Sequence, residues 1–277
     1  MLGNIKLSIE ACKQLNIPYE ILHPAENLYR IKINHKFYYF VNYSTPLNVQ
    51  AIAAIFKDKE YSYQVLKDKI NIPRTLSFLS PFTKQDYKKY LDYPTIPKMI
   101  EAIKLNFDLP VIVKRNSGSA GDNVFLCKEV SEIATALETI FNINSKNYDY
   151  VALVQEYINI EKEYRAVVLH EELMLLYQKD ISQAEFSGNL SPLHWEGAVA
   201  KHITDSEILA AVRNFMQPIF TEIEVCYSGL DIAVDTSGKY WLIEMNSHPN
   251  YDIFTRDNDG QIIVEIFKKL IQSLQTR

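Results

Sequence analysis

The stretch Gly229-Leu-Asp-Ile-Ala-Val-Asp-Thr-Ser-Gly-Lys-Tyr-Trp-Leu-Ile-Glu-Met-Asn246 constrains this chain more than any other. Thr236-Ser237-Gly238-Lys239 has the composition of a turn, and the runs 230–234 and 240–245 on either side predict an antiparallel hairpin. Alternate residues of a strand share a face. Strict alternation therefore sets Trp241, Ile243 and Met245 opposite Glu244 and Asn246, and Leu230, Ile232 and Val234 opposite Asp231 and Asp235. One face is apolar, and the other carries Asp231, Glu244 and Asn246. Two carboxylates and an amide oxygen are hard donors of the kind magnesium takes. A half-buried hairpin with its acids in solvent has the same pattern. Asn246-Ser247-His248-Pro249-Asn250 places a second amide and a rigid turn directly behind the carboxylates, which favours the ligand reading.

The rest of the chain alternates helical and strand-like segments, with no internal repeat or long linker. Helical spacing predicts helices over 5–16, 47–57, 61–69, 95–105, 131–141 (with Ser131 as N-cap), 205–223 and 261–274. Strands are expected at 19–23, 28–33, 37–41, 111–113, 124–127, 151–155, 164–169 and 173–177. Several fall in hairpin-like pairs, as across Asn34-His35. The pattern indicates α+β lobes with antiparallel sheets more than one doubly wound sheet.

Charge and composition narrow the partners. A formal net charge of −5 and a pI of about 5.7 argue against nucleic acid as principal partner, since phosphate-backbone binders carry the opposite sign. No apolar run is long enough to span a bilayer, and no signal peptide is visible, so no membrane and a cytoplasmic location are expected. Cys12, Cys127 and Cys226 are scattered and read as reduced thiols.

Three further segments carry polar residues in suggestive places. Leu109-Pro-Val-Ile-Val-Lys114 is an apolar strand ending in a cation, followed by Arg115-Asn-Ser-Gly-Ser-Ala-Gly-Asp-Asn123. Gly118 and Gly121 would let backbone N–H groups approach phosphate oxygens, with Ser117 beside them. The loop matches neither GxxxxGK[ST] nor GxGxxG, and such loops also occur as plain turns. Glu163 and Arg165 stand two apart on a strand and share a face, as an exposed ion pair would. Arg165 could equally clamp an oxyanion with its planar guanidinium. Asp58-Lys59-Glu60 opens a helix, where a lone lysine is ordinarily a solvated charge.

Taken together, Gly-Leu-Asp-Ile, thirteen residues from Asp231 to Glu244 and then Glu-Met-Asn-Ser-His-Pro resemble the metal motif of the ATP-grasp superfamily. The branch it is most similar to is that of the amino-acid ligases: ribosomal-protein glutamate ligases, cyanophycin synthetase and the ATP-grasp part of bifunctional glutathione synthetase. The resemblance runs from about Asp58 to the end. It implies two α+β lobes with antiparallel sheets clasping ATP behind a reduced N-terminal lobe, divided as 1–75, 76–156 (small lobe) and 157–277 (large lobe with the metal site). It implies that Asp231, Glu244 and Asn246 ligate two Mg²⁺ ions, with Mn²⁺ as a stand-in, and that Lys59 and Lys114 bind phosphates under the loop of Ser117 and Gly118. Gln155, Glu156, Tyr157 and Ile158 would hold adenine, and Glu163 the ribose hydroxyls. Arg165 and Asn189, with Lys179 and Lys201 as weaker candidates, would stand near the transferring phosphoryl group. Tyr63 and Asn71 depart from the family pattern.

The implied activity is ADP-forming ligation of a carboxylate to an amine through an acyl-phosphate, on an amino acid or peptide. The partners would be small-molecule or peptide carboxylates and amines, and a homo-oligomer is compatible with the sequence. The alternatives are a kinase acting on a hydroxyl acceptor and a non-catalytic nucleotide-binding module.

Overall fold

The structure is a computed structural model describing residues 1–118, 121–186 and 188–276. In chain order the elements are α1 (Gly3–Gln14), β1 (Tyr19–Ile21), β2 (Leu28–Ile33), β3 (Lys36–Val41), α2 (Gln50–Lys57), α3 (Lys59–Leu66), β4 (Thr75–Leu79), α4 (Ile96–Asn106), β5 (Val111–Arg115) and β6 (Val124–Cys127). Then come α5 (Val130–Ile140), β7 (Val151–Glu156), β8 (Ile160–Leu169), β9 (Glu172–Asp180), β10 (Val199–His202), α6 (Ser206–Glu222), β11 (Tyr227–Asp235), β12 (Tyr240–Asn246), α7 (Asp252–Asp257) and α8 (Gln261–Ser273).

These strands form three antiparallel sheets, ordered β1-β2-β3, β4-β7-β5-β6 and β10-β9-β8-β11-β12. The α+β expectation holds. In the four-stranded sheet, Val111, Val113, Ala152 and Val154 point into a core closed by Met99 and Ile103 of α4 and Ile133 and Leu137 of α5. The five-stranded sheet buries one face against α6, where Val212, Met216 and Ile219 meet Ala166, Val168, Leu230 and Ile232. Phe56 and Leu66, at the ends of α2 and α3, enter this same core. Another core joins α1, β2 and β3 to α8 and to Val167, Leu175 and Tyr177 of the large sheet.

The hairpin of β11 and β12 departs from strict alternation. Asp231 pairs with Glu244, but Ile232 pairs with Leu242, so Ile243 is an extra residue at a β-bulge. A bulge shifts parity by one. Leu242 and Met245 are therefore the core residues, 0% and 1% exposed, and the expected apolar face of Trp241, Ile243 and Met245 is corrected accordingly. Trp241 lies opposite Ala233, which pairs on its other side with Glu163, so the indole belongs to the carboxylate side of the sheet. Its Nε1 donates to Asp235 Oδ2 at 2.8 Å, and the Lys239 ammonium stands 3.8 Å from the ring centroid.

Helix α5 starts earlier than expected. Glu129, not Ser131, is the cap residue, because the Glu132 carboxylate reaches back to accept from the backbone N–H groups of Lys128 (2.5 Å) and Glu129 (3.0 Å). Strands β4 and β10, absent from the sequence-based expectation, are sheet edges of five and four residues, too short to carry a clear period.

Candidate functional site

Two polar sheet faces supply the site. On the large sheet, β11 and β8 set Asp231 opposite Arg165, and β12 sets Glu244 opposite Asp231. Arg165 donates to Asp231 as a fork, Nε to Oδ1 at 2.6 Å and Nη2 to Oδ2 at 2.9 Å. From β9, the Lys179 ammonium lies 3.1 Å from Asp231 Oδ1 and is also bonded to Glu163. Gly229, one turn of the pleat away, leaves the space over which Arg165 lies: a Cβ there would stand 3.2 Å from both Cδ and Nη1 of Arg165. The Asn246 carboxamide has a buried Nδ2 without a hydrogen-bond partner. Behind it, Asn4 of α1 holds the following turn, its Nδ2 donating to Pro249 O at 2.8 Å.

Burial sets the electrostatics. Desolvation alone would raise the Asp231 carboxyl, but Arg165 and Lys179 override it and hold the group down at about 2. Burial pushes Glu163 above the ordinary carboxylate range despite Lys179. Burial opposes the charge of Lys179 as well, yet Asp231 and Glu163 outweigh it and raise the ammonium above its usual value.

The four-stranded sheet contributes Lys114 from the end of β5, buried, with its ammonium pushed down to about 8 by desolvation and then by Lys59. Lys59, the first residue of α3, reaches from the 115–118 segment to β12: its Nζ donates to Gly118 O at 2.9 Å and Asn116 O at 3.3 Å, and lies 3.4 Å from Glu244 Oε1. Six of the expected residues thus fall into two contact groups, Lys59 with Glu244 and Glu163, Arg165 and Lys179 with Asp231, set side by side by the strand pairing of Asp231 with Glu244. Four of these charges, Lys59, Glu244, Asp231 and Glu163, also act on Lys114.

The 115–123 loop and the 155–158 segment make contacts of their own. Ser117 gives its backbone N–H to Asp149 Oδ2 at 2.7 Å. Gly118 lies against Arg115, leaving no room for a Cβ. Ser119 and Ala120 of the expected loop lie outside the described residues. Gly121, with φ of +75°, approaches Asn189 and Ser191, so the 115–123 loop meets the 181–198 loop here. Asn189 Oδ1 accepts from Ser191 N at 2.7 Å, and its carbonyl accepts from Trp195 Nε1 at 2.5 Å.

Gln155 is buried and donates to Thr75 Oγ1 at 2.8 Å, whereas the Glu156 carboxylate turns to the backbone N–H of Arg74 at 2.7 Å. Tyr157 is exposed and Ile158 half-buried beyond the end of β7. Lys201 of β10 is exposed and opposes Gln178, one place off the row of Lys179. Sequence reasoning missed Asn116 and Asp149. The polar contacts they make span 56 and 32 residues, and no local pattern announces them.

Similarity to known proteins agrees with this geometry. A family model for the RimK-like ATP-grasp domain matches residues 57–274. An uncharacterised protein of Mycoplasma pneumoniae is 25% identical over 195 residues, 69% of this chain and 60% of that protein, and one of Mycoplasma genitalium is 24% identical over 218 residues, 77% of this chain and 68% of that protein. The chain thus spans about three fifths of the length of the first of these relatives. Among solved structures, a D-alanine–D-alanine ligase from Bacillus anthracis superposes with a TM-score of 0.55 at 18% identity, over 82% of this chain and 68% of that one. A RimK-domain ATP-grasp protein from Sphaerobacter thermophilus gives 0.53 at 16% identity, over 80% and 72%. The family match covers every charged residue of the site, and the chain belongs to the RimK-like ATP-grasp family.

Proposed function

We propose that this protein uses ATP to join a carboxylate to an amine through an acyl-phosphate, releasing ADP, with an amino acid or peptide as substrate. The observation that carries the reading is that Lys59 meets Glu244, and Arg165 and Lys179 meet Asp231 and Glu163, on neighbouring strands of one sheet face. Little covalent chemistry falls to such a protein; alignment and charge neutralisation do the work.

In this reading Lys59 and Lys114 hold the nucleotide phosphates, the 155–158 linker takes adenine, and Glu163 takes the ribose hydroxyls. Arg165 and Lys179 hold the oxyanions of the transferring phosphoryl group and then of the acyl-phosphate, where a guanidinium fork suits paired oxygens. Asn189 stands at the meeting of the loops, close to the same group. The donor chemistry fits a hard cation: Asp231 and Glu244 face each other across the hairpin, and Asn246, two residues from Glu244 on the same strand face, would offer its amide oxygen. Among the described residues no group of three or more His, Cys, Asp or Glu forms a metal cage, so nucleotide oxygens would complete the shell. Magnesium bound there would neutralise and orient the phosphates. Because Asp231 is engaged by Arg165 and Lys179, its carboxylate would be shared between the ion and these cations.

The test is to incubate the protein with ATP, Mg²⁺, mixed amino acids and peptides, and hydroxylamine in place of the amine. ADP and a hydroxamate that depend on the same carboxylate are expected. AMP as the nucleotide product, a phosphorylated hydroxyl acceptor, or no nucleotide turnover would overturn the proposal.

A further inference from the structure

Asn116 is 2% exposed, and both polar atoms of its side chain bond the segment that carries Lys59. Its Oδ1 accepts from the backbone N–H of Glu60 at 2.9 Å, and its Nδ2 donates to Asp58 Oδ2 at 2.6 Å. Its backbone carbonyl accepts from the Lys59 ammonium at 3.3 Å, and its own N–H donates to Val151 O at 3.2 Å. The first N–H groups of a helix have no partner within it. Asp58 Oδ1, the ordinary cap of α3, satisfies Tyr61 N at 2.8 Å. Glu60 N is satisfied instead by Asn116, from the residue pair directly beyond Lys114. The N-terminus of α3 is therefore capped twice, once by its own chain and once by the end of strand β5. The Glu60 side chain is fixed in turn by Ser77 Oγ of β4.

We propose that Asn116 is the positioning residue that sets Lys59 against Lys114, so that two cations from chain positions 55 residues apart address one set of phosphates. The assignment rests on the nucleotide reading given above. Lys59 is the residue between the two that Asn116 grips, so its backbone cannot move without breaking a cap. In the structure its ammonium rests on the carbonyls of Asn116 and Gly118 and beside Glu244. Phosphate oxygens would take over the two carbonyl bonds, with Asn116 holding the stem of the side chain in place.

Asn116→Asp tests this at constant shape. The Glu60 N–H keeps its acceptor, but a second carboxylate replaces the donor to Asp58, and the two acids repel across a hydrogen-bond distance. Combining it with Asp58→Asn restores a donor and an acceptor with the roles reversed, and leaves both α3 caps in place. With Mg²⁺ present, the dissociation constants of ATP, ADP and AMP are measured by calorimetry beside the melting temperature. Asn116→Asp is expected to weaken ATP about tenfold or more and AMP by less than about threefold, and the double variant to bring ATP back within about threefold of wild type, the scale of one charged hydrogen bond.

Equal losses for ATP and AMP, tracking a lowered melting temperature, would make Asn116 merely structural and overturn the proposal, as would wild-type ATP affinity in Asn116→Asp. If Asn116→Asp does not fold, the double variant decides alone: wild-type ATP affinity supports the assignment, and a folded double variant with weakened ATP refutes it. Wild-type protein that binds none of the three nucleotides overturns the nucleotide reading itself, a distinct result.

Discussion

Replacing Gly229 by alanine probes how tightly the charged cluster is packed. The new methyl would stand 3.1 Å from Pro249 Cβ and 3.2 Å from both Cδ and Nη1 of Arg165, closer than most real Cβ contacts. Gly229 lies in the middle of β11 and is not among the positive-φ glycines, so the cost is steric and not conformational. Arg165 cannot yield freely, because its fork is fixed to Asp231 at 2.6 and 2.9 Å and Asp231 is fixed to Lys179 at 3.1 Å. Overpacking of this kind costs about 1–3 kcal/mol. At roughly 2–4 °C per kcal/mol for a chain of this size, the melting temperature should fall by several degrees. The assay is a double-mutant cycle with Arg165→Ala, read by urea denaturation. Once the arginine is gone two of the three close contacts go with it, and a coupling of about 1 kcal/mol or more is expected. Gly238→Ala serves as control: its φ of +84° makes alanine unfavourable, but nothing lies within 4 Å, so no coupling to Arg165 should appear. Additivity of Gly229→Ala with Arg165→Ala would refute the packing argument.

Three other perturbations test separate parts of the account. Leu242→Ala should cost about 2–5 kcal/mol and Trp241→Phe about 1 kcal/mol, through the lost bond to Asp235; denaturation curves in the reverse order would restore strict alternation and deny the bulge. Lys114 is held below its ordinary value, so burying it destabilises the fold fully below about pH 8, and the cost is relieved as pH rises towards the unfolded value of 10.5. Wild type should therefore gain about 2 kcal/mol on Lys114→Met between pH 8 and 10, and parallel stability profiles would contradict this. Glu244→Gln should lower nucleotide turnover about tenfold or more while changing stability little, since its pairing with Lys59 is partly exposed; full turnover would remove Glu244 from the metal site.

The sequence made the hairpin and the shared face of Asp231, Glu244 and Asn246 legible because turn residues and strand composition are local signals. It also gave most helices within a few residues, since long amphipathic segments such as α6 and α8 carry several periods of their pattern. The bulge at Ile243 was not legible: one extra residue flips every neighbour, and nothing in Trp-Leu-Ile-Glu-Met marks where it falls. Pairing across the chain was equally hidden. That Lys179 joins Glu163 to Asp231 depends on the register of β9 against β8 and of β8 against β11. The α3 cap from Asn116 requires two segments 56 residues apart to meet. Edge strands β4 and β10 escaped because four or five residues hold too little alternation to separate strand from loop.

The central claim, ligation through an acyl-phosphate, is tested most directly by following one oxygen atom. Once an accepted carboxylate and amine are in hand, the carboxylate is labelled with ¹⁸O and the inorganic phosphate is weighed after turnover. In the proposed route the carboxylate oxygen attacks the terminal phosphorus and ADP leaves. The amine then displaces phosphate with that oxygen attached. One ¹⁸O per phosphate, with ADP and amide formed in equal amounts, is the predicted result. Unlabelled phosphate alongside genuine amide would contradict the mechanism.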